Sequence, residues 1–124
     1  MSTRTYAEKA LRDVLDAWQQ AIGVHDFDRV AALFTVDAVF QGLRPYSVGR
    51  PGVAAYYESQ PLGMTVDYRI VTAEQLADDV VLGWIAADFS FAEEFRPPLP
   101  VSLTVVVRAG AIAHYHVSPR IDAH

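Results

Sequence analysis

The chain has 124 residues, 52% of them hydrophobic, which is enough for one domain with a sizeable core. A net charge of −5 and a pI near 5.2, with no basic stripe, argue against nucleic acid as a partner. Without cysteine there is no disulfide, thiolate metal site or Cys nucleophile. No apolar run approaches the roughly 20 residues that span a bilayer. The polar stretch Met1–Lys9 is unlike a signal peptide, so a cytoplasmic location is expected. Nine Arg against one Lys, with abundant Ala, points to a GC-rich bacterial genome. The mild apolar excess predicts an internal pocket, an oligomer interface, or both.

Thr5 and Glu8 have the spacing of a capping box. After them Ala7, Leu11, Val14, Leu15, Trp18, Ala21 and Ile22 recur at helical spacing, with charged and amide side chains opposite. The first helix should end near Gly23. His25 then complements the negative end of its dipole. Asp26 caps a second helix, Phe27 to Phe34; a strand follows at Ala38 to Gly42, and Leu43 to Gly49 is a loop. Pro51 suits the first position of a third helix, ending near Ser59.

From Met64 the period becomes two. Met64–Gln75 and Val80–Ala92 predict a long hairpin with Val66, Tyr68, Ile70, Ile85, Ala87, Phe89 and Phe91 on one face. Asp67, Arg69, Trp84 and Asp88 fall on the other, and the charged three read as a surface or interface cluster. Glu93 to Pro100 is a break. The last hairpin, Val101 to Ser118, turns at Ala109-Gly110. Strict alternation pairs Val107 with Ile112, Val105 with His114 and Leu103 with His116. Both histidines then face the apolar side, and Tyr115 the polar one. An imidazole in such surroundings is a candidate acid/base group or polar anchor; a hydrogen-bonded structural pair is the plainer reading. Two strand histidines supply two metal ligands and no third is at recognisable spacing, so no metal is expected. Helices followed by a meander make the class α+β, with residues 1–124 a single domain.

This order, with Trp18 and Ala21, His25-Asp26-Phe27-Asp28, Leu33-Phe34, Asp37-Ala38-Val39-Phe40, Gly49-Arg-Pro-Gly-Val53 and Ile112 to Ser118, resembles the NTF2-like superfamily. Within it the chain is similar to SnoaL-like small proteins and to the association domain of calmodulin-dependent kinase. The resemblance covers roughly residues 6–120. It implies three N-terminal helices packed on a curved antiparallel sheet, shaped as a cone with a pocket at its open end and often a homodimer across the sheet. It does not imply a reaction. Ketosteroid isomerase's tyrosine, aspartate base and protonated aspartic acid would fall at Trp18, Gly42 and near Leu103, so those roles are missing.

The expected function is therefore binding of a small hydrophobic molecule. A cofactor-free acid/base reaction on a hydrophobic carbonyl compound is the catalytic version, and a non-catalytic binding or association module the alternative. His116 or His114 would shuttle the proton, and Arg44 or Tyr46, on the loop beside the expected mouth, would orient the ligand. Trp18, Phe40, Tyr57, Tyr68 and Phe89 would be pocket wall, or plain core if there is no pocket. Asp37 reads as a local backbone cap.

Overall fold

A computed structural model describes residues 3–43, 45–92 and 97–120. Helix α1, Thr3–Gly23, starts two residues before the capping-box position, so Thr5 lies in its first turn and not at its cap. Its seven apolar positions are all buried. That stripe, not propensity, holds the helix, because fully burying one Val, Leu or Ile contributes about 1.5–3 kcal/mol. Asp26 caps α2, Phe27–Ala32, by accepting from the Arg29 backbone N–H at 3.1 Å. Helix α3, Arg50–Glu58, has Pro51 in its first turn as expected.

The strands are β1 Phe34–Gln41, β2 Tyr46–Val48, β3 Thr65–Ala77, β4 Val80–Ser90, β5 Leu99–Arg108 and β6 Ala111–Pro119. β1 begins four residues earlier than its pattern suggests, and part of the expected loop forms the edge strand β2. They make one curved, unclosed sheet in the order β2-β1-β6-β5-β4-β3. Neighbours are antiparallel except β1 and β6, which run parallel. The β3–β4 register is the one alternation predicts, with Val66 opposite Phe89, Tyr68 opposite Ala87 and Ile70 opposite Ile85.

The β5–β6 hairpin departs from its expected register after its first pair. Ala109 and Gly110 both have positive φ, 51° and 81°, the conformation of a two-residue type I′ turn. Val107 faces Ile112 as predicted, but the next pair is Val106 with His114. Ala113 is the extra residue of a bulge, and one extra residue moves every later side chain to the other face. Tyr115 and Val117 therefore join Ile112 in the core. His114 and His116 point outward instead, which overturns the expectation that they line the apolar interior.

Between α1 and the sheet, Trp18, Phe34, Phe40, Tyr57, Phe89 and Tyr115 pack together. Phe40 stacks on Tyr115 with ring centroids 4.6 Å apart, and Trp18 meets Phe89 edge to face at 6.1 Å. Among the described residues no charged side chain is buried.

Candidate functional site

Three buried polar atoms run through the aromatic interior. The Trp18 indole N–H, from the middle of α1, donates to the Tyr57 hydroxyl of α3 at 3.1 Å. The Tyr57 hydroxyl in turn donates to that of Tyr115 on β6 at 3.4 Å. Burial drives the ionisation of Tyr57 and Tyr115 well above the ordinary phenol range. At neutral pH both are hydrogen-bonding alcohols and not bases. The Tyr68 phenol is likewise raised, by burial first and then by its hydrogen bond to Asp16. Trp18, Phe40, Tyr57, Tyr68 and Phe89 are thus brought into one aromatic assembly, with Trp18 against Tyr68 at 6.4 Å and Phe40 against Tyr57 at 6.0 Å.

The cavities nearest this interior lie at the end of the sheet opposite the hairpin turns. One, of about 110 Å³, is bounded by His25 and Phe27 after α1, Glu58 and Gln60 at the end of α3, and Met64 before β3. A second, of about 300 Å³, lies beyond Gln60 and Pro61, against Phe91, Pro97, Pro98 and Leu99. The two adjoin at Gln60 and Pro61, which border both, and make a groove in two parts under that turn. Phe27 divides the smaller cavity from the interior, stacking on Tyr57 at 6.3 Å and 20°. Gly63 closes the turn at φ 74°. A Cβ there would come 2.3 Å from that of Ala92, so conformation and space both reserve it for glycine.

Sequence reading missed Phe27, Glu58, Gln60, Met64 and Tyr115 as site-forming residues, and read His25 only as a helix-end group. One signal for Tyr115 was present. Apolar residues at 112, 115 and 117 break strict alternation once, which is the mark of a bulge. Tyr46 lies on the outer face of β2, 63% exposed and away from the groove. Arg44 lies outside the described residues.

The outer face of the sheet is the other notable surface. Leu82, Val106, His114, Val39 and Val48 align across the strands in one row, and Trp84, Thr104, His116, Gln41 and Tyr46 in the next. Trp84 is 53% exposed there. The two imidazole rings are 6.3 Å apart. Asp37 lies inside β1 and not at its entry, and it bonds its own backbone. Its carboxylate accepts from the Thr35 hydroxyl at 2.9 Å and from Arg108 at 3.1 Å. Its pKa is lowered first by the Thr35 bond, then by its own backbone and by the Arg108 charge. Asp67, Arg69 and Asp88 line a shallow hollow on the same side, and Asp88 pairs with Arg120 at 2.8 Å. Among the described residues no three His, Asp or Glu side chains come together as a metal site. Among the described residues no helix is long and apolar enough to cross a membrane.

No family model and no curated protein matches the sequence. Solved structures do. A domain of unknown function with a cystatin-like fold from Nostoc punctiforme is 16% identical, covering 95% of this chain and 80% of that one, with a TM-score of 0.82. An NTF2-like protein of unknown function from Pseudomonas putida is 21% identical, covering 99% and 93%, at 0.78. A ketosteroid isomerase-like protein from Erwinia carotovora is 23% identical, covering 98% of each chain, at 0.75. Putative calmodulin-dependent kinase association domains also occur among the matches. The chain has the NTF2-like, cystatin-like fold, an α+β cone. At these identities the likeness establishes the fold alone.

Proposed function

We propose that this protein binds a small apolar molecule in the groove beside Phe27 and works as a homodimer joined through the outer face of its sheet. The observation that carries the ligand reading is the pair of contiguous cavities, walled by Phe27, Met64, Phe91 and Leu99, at the end of an aromatic interior. Such a site is concave and largely apolar with a few polar groups at its rim, as small-molecule sites are. Of the catalytic and non-catalytic versions, the geometry favours the second. His114 and His116 lie on the far side of the sheet from the groove, and Tyr57 and Tyr115 are held as neutral phenols. Trp18, Gly42 and Leu103 stand where isomerase chemistry would need hydroxyl and carboxyl groups. The histidines belong instead to the dimer face, between Val106, Thr104, Val39 and Gln41.

The ligand reading is tested with protein carrying carbon-13 methyl methionine. Titration with methylnaphthalene should move the Met64 methyl resonance in a saturable way. A Met64 signal indifferent up to the solubility limit of the hydrocarbon sinks the assignment of this groove.

A further inference from the structure

The groove has a sign of charge, and it is negative. Helix α3 ends at Glu58, and that C-terminal end meets the smaller cavity. It carries about half an elementary negative charge from its aligned peptide dipoles. Glu58 adds a full carboxylate at the same place. The Gln60 amide nitrogen is spent on the Tyr56 carbonyl at 3.3 Å and the Ser59 hydroxyl at 3.5 Å, which leaves its oxygen to accept from a ligand. Among the described residues no Lys or Arg lines either cavity. The Phe27 ring also borders the cavity.

His25 also borders this cavity, at a φ of 58°. The chain as a whole, at −5, draws cations toward itself.

We propose that the ligand of this groove is an apolar amine. Its ammonium head sits at the rim between Glu58 and Gln60, and its hydrocarbon body lies against Phe27 and Met64. This rests on the ligand reading above and reverses the polarity expected from the sequence, which had a carbonyl compound in view. A carboxylate or carbonyl oxygen would meet the C-terminus of α3 and the Glu58 carboxylate.

Three ligands of similar shape separate the possibilities at the Met64 methyl: naphthylmethylamine, methylnaphthalene and naphthoate. The amine should bind roughly 10-fold more tightly than the hydrocarbon, and the carboxylate more weakly than either. Added salt should narrow that gap. Glu58→Gln, at an exposed helix end, should cost the amine several-fold. Naphthoate binding as well as the amine overturns the proposal and leaves the ligand groove standing. An amine advantage unchanged in Glu58→Gln also overturns it. No Met64 response to any of the three overturns the groove itself.

Discussion

Tyr57 is held from both sides: it accepts from the Trp18 indole and donates to Tyr115. Removing its hydroxyl leaves both neighbours without that partner in an interior with no buried charge. Removing the Tyr115 hydroxyl breaks one bond only. A buried polar group stripped of its partner costs about 1–3 kcal/mol. Tyr57→Phe should therefore lower the unfolding free energy by about 2 kcal/mol and Tyr115→Phe by about 1 kcal/mol. Urea denaturation of the two variants measures the difference, and equal losses would contradict the relay. Trp18 and Phe89 were legible as interior residues because helical and strand periodicity each put them on an apolar face. Tyr115 was not, since its alternation has the wrong parity until a bulge is allowed.

At the scale of the element, the last hairpin shows what one residue decides. The apolar set of β5 is regular, with Val101, Leu103, Val105 and Val107 all buried. That of β6 is Ile112, Tyr115 and Val117, which suits the same face only with Ala113 bulged out. Deleting Ala113 would remove the bulge and leave simple alternation with every later side chain on its present face, Tyr115 and Val117 inward and His114 and His116 outward. The deletion variant should therefore keep cooperative thermal unfolding and a dispersed amide spectrum. A deletion variant that loses both would mean that the bulge itself is needed to hold the strand. The β3–β4 hairpin, whose inward residues alternate without interruption through Ile70, was readable from sequence for the complementary reason: nothing in it shifts the phase before Thr72.

For the whole molecule, the two sides of the sheet have separate tasks. The inner side is filled by α1 and the aromatic cluster and leads toward the groove. The outer side presents Trp84, Val106, Val48 and Tyr46 around two imidazoles, with the Arg108–Asp37 and Arg120–Asp88 pairs as a mixed-charge surround. An apolar centre with an aromatic anchor and a rim of both signs is suited to meet its own copy across a two-fold axis. In sedimentation, the protein should run as a dimer and Trp84→Asp as a monomer with unchanged circular dichroism. Because a central aromatic often dominates an interface, the affinity loss should be on the order of 10-fold or more. A wild-type chain that stays monomeric at high micromolar concentration removes the dimer from the proposal.

The class of fold, the buried face of α1, the Asp26 cap, the facing of Val66, Tyr68 and Ile70 in the first long hairpin and the Ala109-Gly110 turn were all determined by the sequence alone. Each depends on periodicity or on local backbone chemistry, which a few neighbouring residues express. The facing of His114 and His116, the burial of Tyr115 and the meeting of His25, Glu58 and Met64 at one cavity were decided by tertiary structure. These depend on a bulge and on the mutual placement of α1, α3 and β3. Residues far apart in the chain set that placement through the way they pack.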